Sequence, residues 1–227
     1  MELKEKILHG TRKSLETIGI DKLKEIIHKS EKEKREYALL FCGNTDIPPF
    51  GDISHSNLCT GTECRVILKD CKGKIQIGSF HTHHHTGYSK DEFIEHLSDE
   101  DIYSTISNKR NFSCIGFIED KKSQKNLKPV IKCFIPALDI QKPIIALESY
   151  IAEDKYHKKL LEYNLSENKP DGTKKSLDEL LKELSEDKRK ILSDTYTRWT
   201  IADDELYKES ELLFKKLLHK DADLTIR

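Results

Sequence analysis

The alternation of apolar and polar residues divides the chain into two parts of different character. Residues 1 to about 137 hold nearly all of the β-branched and aromatic runs, whereas the remainder is rich in Lys, Glu and Leu at helical spacing. The pattern predicts an α+β (α-β-α) fold, in which a mixed β-sheet is flanked by helices. We expect one domain over residues 1–138 and a helical C-terminal extension over residues 139–227.

The first part is predicted to combine a buried sheet with two helices. Leu23, Ile26 and Ile27 recur at helical spacing and predict an amphipathic helix over residues 20–34. The continuous apolar run Tyr37–Cys42 is typical of a buried strand. The same patterns predict a second helix over 98–107 and further strands over 64–69, 74–80, 112–118 and 130–135.

The second part is predicted to form three helices, over roughly 143–163, 176–193 and 202–219. Ser176 and Glu179 have the spacing of a capping box, which marks the start of the second of these helices. Their Leu and Ile stripes are expected to pack on each other and on the sheet. Tyr196 and Trp199 are expected to pack the helices onto the sheet.

The charge balance narrows the classes of partner. The chain has 227 residues, enough for a substantial core, and carries 39 Lys and Arg against 40 Asp and Glu. This balance leaves no bulk positive field for a nucleic acid. No stretch approaches the roughly 18 apolar residues of a membrane span, and the charged N-terminus has no export signal. We expect a cytoplasmic protein with no nucleic-acid or membrane partner, and the sequence leaves the oligomeric state open.

The six cysteines of such a protein are expected to be reduced thiols, since the chain is large enough to fold without disulfides. Cys59, Cys64 and Cys71 form the one cluster, but their spacing lacks the paired C-x-x-C rhythm of a structural zinc site. We expect partly buried thiols around a hairpin.

Four of the ten histidines fall within residues 81–85, at the end of a predicted strand. Residues i and i+2 of a strand point to the same face, so His81 and His83 converge while Thr82 points away. Imidazole is a ligand that suits zinc, and a catalytic zinc site uses three protein ligands with one position left for water. A His-x-His pair alone is also common in a His-rich surface loop, so this prediction needs a third ligand and a base.

Each further candidate has an ordinary structural explanation when it is taken alone. Asp101 lies three residues after Ser98, which is the spacing of a common helix N-cap. Glu36 is one of many glutamates, placed where the charged segment before it meets the buried strand. What distinguishes them is their order along the chain: a glutamate opens a strand, His-Thr-His ends a later strand, and Ser-x-x-Asp begins the next helix.

In this order the chain resembles the JAMM (MPN+) metalloprotease family, whose signature is a glutamate, then H-[ST]-H, then S-x-x-D. The resemblance covers about residues 15–137 and implies the JAMM/cytidine-deaminase-like mixed sheet. It implies that His81, His83 and Asp101 bind zinc. It also implies that Glu36 is the general acid/base, and that Ser98 donates a hydrogen bond to the developing oxyanion.

Two departures from the family pattern concern the segment after the histidines. Residues 84–97 separate His83 from Ser98, which is longer than usual, and His84 stands where the family usually has a proline. An alternative pair, Ser89 with Glu92, leaves too few intervening residues and offers a longer acid. The insertion is either a flap whose Tyr88, Phe93 and Ile94 contact substrate or a tolerated surface loop.

His84 and His85 are spectators, hydrogen-bond partners of the ligands, or alternate ligands. His85 lies on the face of His81 and His83 if the strand runs that far. We expect His85 not to be needed as a ligand.

Three classes of function remain open. The resemblance implies a zinc-dependent isopeptidase or peptidase that cleaves the amide at the C-terminus of a ubiquitin-like or sulfur-carrier-type modifier, with a protein conjugate as its substrate. A non-catalytic scaffold of the same fold typically lacks a motif position, whereas Glu36, His81, His83, Ser98 and Asp101 are all present. Metal storage through the histidines predicts several bound ions and no need for Glu36 or Ser98.

Overall fold

The computed structural model divides the chain into two compact units, which are described separately. The first comprises Met1–Gln141 together with Ser210–Arg227, and the second comprises Lys142–Glu209. The described residues are 3–61, 71, 73–85, 94–119, 128–136, 143–169, 173–218 and 220–227, with only the backbone described over 143–147.

A mixed β-sheet lies at the centre of the first unit. Its strands are β1 (Tyr37–Gly43), β2 (Ser54–His55), β3 (Cys59–Thr60), β4 (Ile75–Thr82), β5 (Phe112–Glu119), β6 (Lys128–Phe134) and β7 (Leu224–Ile226). Their order is β2-β1-β4-β5-β6-β7, with β3 also paired to β1. Strands β4 and β5 are parallel, and the other neighbours are antiparallel.

One face of this sheet is covered by two helices, α1 (Leu3–Ile18) and α2 (Ile20–Glu33). Gly19 joins them with a φ of 91°, a conformation that a glycine adopts without steric cost. At the other end of α2, Lys34 adopts the left-handed conformation and its N–H donates to the carbonyl of Ser30. The core on this face includes Leu15, Leu23, Ile27, Phe80 and Phe112.

A second core lies on the opposite face, beneath helix α3 (Asp99–Ser107) and the last turns of helix α6 (Glu186–Leu217). It includes Ile94, Leu97, Ile102, Ile115, Phe117, Leu213 and Leu217. Helices therefore flank a mixed sheet on both faces, which confirms the α+β prediction.

The second unit is helical and has its own core. It contains helix α4 (Pro143–Glu162), helix α5 (Leu177–Lys182) and the larger part of α6. Tyr156 is buried there, with its ring centroid 5.2 Å from that of Trp199 and 5.4 Å from that of Tyr196. Tyr196 and Trp199 thus pack among helices, not onto the sheet as the sequence pattern suggested.

The C-terminal region differs from the prediction in its helices and in its boundary. Helices expected over 176–193 and 202–219 are instead a short α5 and one continuous α6 of 32 residues. The chain after Ser210 belongs to the first unit, since Leu213 and Leu217 join the core of α3 and β7 pairs with β6. The predicted extension over 139–227 therefore ends at Glu209 as a compact unit.

The expectation of six reduced thiols is wrong for four of them. Disulfide bonds join Cys42 to Cys71 and Cys114 to Cys133. The second pair is directly in register on β5 and β6, where side chains on one face lie side by side. Cys59 is a buried free thiol.

The strand predicted over 64–69, together with Cys64, lies outside the described residues. Within the part of the chain that the structure describes, no helix combines the length and the apolar character needed to cross a membrane.

Candidate metal centre

The candidate metal centre consists of three side chains that could hold a metal ion, those of His81, His83 and Asp101, and it is called the metal centre below. His81 is the second-last residue of β4, and His83 directly follows the last residue of that strand. Asp101 lies in the first turn of α3. His81 pairs with Ile115 of β5, whose side chain belongs to the core beneath α3, so both histidines face that helix.

The spacing of the ligand atoms fits a single metal ion. One ligand atom from each of the three residues lies within 4.8 Å of the others. Nε2 of His81 is 2.9 Å from Nε2 of His83 and 3.2 Å from Oδ1 of Asp101. A tetrahedral zinc ion with bonds of about 2.1 Å holds its ligand atoms about 3.4 Å apart, close to these distances. The group is therefore able to hold a metal ion.

A second hydrogen bond determines which nitrogen of His83 faces the centre. Its Nδ1 lies 2.9 Å from the main-chain carbonyl oxygen of Ile94. A carbonyl only accepts, so Nδ1 carries a proton and Nε2 is the nitrogen that faces Asp101 and His81. Metal-binding histidines usually have this kind of outer partner, which orients the ring.

The charges within the centre support one another. Burial by itself lowers the pKa of His81, but the carboxylate of Asp101 more than offsets this effect, so the pKa of His81 is raised. Burial raises the pKa of Asp101, but His81 and His83 hold it well below its ordinary value. Asp101 is thus held as a carboxylate, the state in which it binds a metal, and a bound metal ion would take the place of the proton that this carboxylate favours on His81.

Ser98 and Asp101 are both a helix cap and part of this centre. Oγ of Ser98 accepts from the N–H of Asp101 over 3.1 Å, and Oδ2 of Asp101 accepts from the N–H of Ser98 over 2.9 Å. This capping box holds the carboxylate in place and leaves Oδ1 directed at His81. The cap and the ligand, which seemed alternatives in the sequence, are compatible.

Glu36 is buried, with 5% of its surface exposed, and lies on the face of the sheet that bears the metal centre. Ala38 of β1 pairs with His81 of β4, so their side chains lie on the same face of the sheet. Glu36, two positions before Ala38, and His83, two positions after His81, share that face. The carboxylate of Glu36 contributes to the raised pKa of His81. The structure therefore brings the predicted base close to the predicted ligands.

Sequence reasoning missed Arg110, a buried cation behind α3. Its guanidinium donates to Oε1 of Gln76 over 3.1 Å and to Oγ of Ser104 over 3.1 Å. Burial lowers the pKa of Arg110 to about 10, while the charge of Asp101 opposes that change. Nothing in the flanking Asn and Lys residues signals this burial, which depends on the packing of α3 against the sheet.

The other two histidines of the 81–85 cluster, His84 and His85, do not belong to the group of described residues that could hold the ion. Strand β4 ends at Thr82, and Nδ1 of His85 instead lies 3.0 Å from Oε2 of Glu31 on α2. His85 is therefore not one of the residues that converge on the metal centre, and His84 is fully buried.

The segment before α3 is described in part. Ile94 is buried in the core beneath α3, where it also supports His83. Tyr88, Phe93 and the alternative pair Ser89 and Glu92 lie outside the described residues.

Comparison with models of known protein families found no match, and searches of curated proteins and of solved structures found no significant match either.

Proposed function

We propose that this protein is a zinc-dependent metallo-isopeptidase or peptidase with a JAMM-like fold. Its substrate is the amide bond at the C-terminus of a ubiquitin-like or sulfur-carrier-type modifier, joined to another protein. The observation that carries the proposal is the convergence of His81, His83 and Asp101 on the face of the sheet that also bears Glu36. The order of these residues along the chain, which resembles the JAMM signature, supports it.

The metal that we propose for this centre is zinc. Two imidazole nitrogens and one carboxylate oxygen form a three-ligand set of the type found in catalytic zinc sites. Zinc held by His81, His83 and Asp101 would supply a Lewis acid for the scissile carbonyl and would lower the pKa of the attacking water towards ~7.

The roles of the protein groups follow from their positions. Glu36 is a buried carboxylate beside the centre and accepts the proton of the attacking water, then returns it to the leaving amine. Proton transfer by a positioned side chain typically contributes ~10²–10⁴-fold to the rate. Ser98 is hydrogen-bonded to Asp101, and its hydroxyl group donates to the oxyanion that develops on the substrate.

The first test measures zinc per chain in protein purified without a histidine tag. Wild type is expected to bind one zinc and Asp101→Asn none, since the amide lacks the charge of the ligand but keeps an acceptor for Ser98. Glu179→Gln is the matched control, because Glu179 closes the equivalent capping box of α5 at Ser176. Absence of zinc from wild type, or retention of zinc by Asp101→Asn, would contradict the proposed metal centre.

The second test measures cleavage of a fluorogenic isopeptide in which the C-terminus of ubiquitin is joined to a lysine. A mixed peptide library serves as the comparison substrate. Glu36→Gln is expected to keep one zinc and to lose at least ~10²-fold in kcat. Zinc binding by wild type without cleavage of either substrate would instead favour a non-catalytic scaffold.

A further inference from the structure

Two buried hydroxyl groups, on Ser30 and Thr82, link strand β4 to the turn that carries Glu36. The N–H of Tyr37 donates to Oγ1 of Thr82 over 2.9 Å, and that hydroxyl donates to Oγ of Ser30 over 2.7 Å. Oγ of Ser30 donates in turn to the carbonyl of Arg35 over 2.7 Å. Since each hydroxyl has one proton to give, this hydroxyl chain has a single direction.

The hydroxyl chain holds the backbone on both sides of Glu36. Arg35 contributes the carbonyl before it, and Tyr37 contributes the N–H after it. The carbonyl of Glu36 itself accepts from the N–H of Gly61 over 2.8 Å. Displacement of Glu36 would therefore break buried hydrogen bonds, and an unsatisfied buried polar group is costly.

Thr82 also lies between two residues of the metal centre. His81 and His83 point to the α3 face, so the intervening side chain points to α2, where it meets Ser30. Both Ser30 and Thr82 are fully buried, with 0% of their surface exposed. One hydroxyl thus connects the backbone of the two histidines to the backbone of the glutamate.

Ser30 is well placed to anchor this link because it belongs to the end of helix α2. Its carbonyl accepts from the N–H of Lys34, which ends the helix, and from the N–H of Arg35 over 3.3 Å. The side chain and the backbone of Ser30 therefore both bind the turn that leads into Glu36.

We propose that Ser30 and Thr82 are positioning residues that hold the carboxylate of Glu36 in register with the metal centre; this inference rests on the proposed function. Neither residue touches the reacting atoms. Their effect is on the geometry of proton transfer, in which a displacement of about 1 Å costs on the order of 10²-fold in rate.

The test uses Ser30→Ala and Thr82→Val, which remove one hydroxyl each, and Thr82→Ser, which keeps the hydroxyl. Ser14→Ala is the matched control. Ser14 is a fully buried serine of α1, and its Oγ donates to the carbonyl of Gly10 over 2.8 Å without contact to the hydroxyl chain.

The measurements are zinc per chain, and kcat and KM on the ubiquitin–lysine isopeptide. Ser30→Ala and Thr82→Val are expected to keep one zinc and an unchanged KM while kcat falls about 10–10²-fold. Thr82→Ser and Ser14→Ala are expected to stay within about twofold of wild type. The inference is overturned if Ser30→Ala lowers kcat no more than Ser14→Ala, a comparison that holds even if Thr82→Val does not fold.

A cobalt-substituted protein separates this inference from the proposed function. Its visible spectrum reports the geometry of the ligands and is expected to be the same in wild type, Ser30→Ala and Thr82→Val, since the two hydroxyl groups act on Glu36 and not on the ligands. If wild type binds metal but cleaves no isopeptide, the proposed function fails. If wild type cleaves it, and a loss of kcat in the variants comes with a changed spectrum, the loss belongs to the ligands and the positioning role of the two hydroxyl groups towards Glu36 is overturned. A wild-type protein that binds no metal overturns both.

Discussion

Ser98 and Asp101 bind each other twice, once through the hydroxyl of Ser98 and once through its main-chain N–H. Because the second bond uses the backbone, the carboxylate of Asp101 keeps an anchor even when the hydroxyl is removed. The pair therefore offers a way to separate helix capping from a role in catalysis.

Ser98→Ala is expected to lower the free energy of unfolding by about 1 kcal/mol, the usual cost of losing an N-cap hydroxyl. It is also expected to lower kcat by about 10²–10³-fold, because the developing oxyanion loses its donor. Urea unfolding and isopeptide cleavage measure the two effects. Ser176→Ala, which removes the equivalent cap of α5, should show only the first. Unchanged cleavage by Ser98→Ala would restrict Ser98 to capping.

His83→Asn and His83→Ala are expected to lose zinc equally but to differ in stability. The amide nitrogen of asparagine replaces Nδ1 as a donor to Ile94, whereas alanine leaves that buried carbonyl without its donor. Alanine should therefore cost about 1–3 kcal/mol more. Urea unfolding in a chelator tests this, since bound zinc would add to the stability of wild type. Equal stabilities would mean that the carbonyl finds another donor.

His85→Ala is expected to keep one zinc per chain, because His85 binds Glu31 and lies away from the metal centre. The loss of that contact should lower stability by less than about 1 kcal/mol. His81→Ala is the comparison and should lose zinc. Loss of zinc from His85→Ala would mean that His85 is one of the metal ligands.

Tyr156 is expected to make the helical unit sensitive to alkali. Burial, with help from Glu167 and Tyr196, raises the pKa of Tyr156 to about 12 from an ordinary value of 10.0. Unfolded chains therefore lose this proton first as pH rises, so stability is full below about pH 10 and falls between pH 10 and pH 12.

Trp199 gives the measurement for that prediction. It is the one tryptophan of the sequence and stacks on Tyr156, so its fluorescence during urea unfolding follows this unit. Tyr156→Phe keeps the ring and removes the hydroxyl, and its unfolding midpoint should change less over the same pH range. Equal pH dependence in both proteins would assign the effect to another group.

Local sequence signals were sufficient for several elements. Helix α2 and strands β1 and β4 follow from apolar spacing, and the start of α3 follows from its capping residues. Helix α1 escaped this reasoning, because its buried face includes Gly10, Thr11 and Ser14. Small polar residues become core only when a neighbour needs the space, as the ring of Phe50 does against Gly10.

Helix α6 shows how tertiary packing overrides local preference. The sequence pattern predicted separate helices over 176–193 and 202–219. The gap between them contains the poor helix formers Thr195, Thr197 and Thr200. In the structure, the hydroxyl of Thr195 donates to the carbonyl of Ile191 over 2.6 Å, so it does not disturb the helix. Leu192 and the ring of Trp199 pack into one core, which keeps the helix continuous.

The sequence by itself determined the residue types of the candidate centre, since a His-x-His pair at a strand end needs only the two-residue period of a strand. Only the tertiary structure decided that Asp101 meets these histidines, that His85 turns away to Glu31, and that Glu36 shares their face. Those relations join residues far apart in the chain. They depend on strand register and on the packing of α2 and α3, which local patterns do not encode.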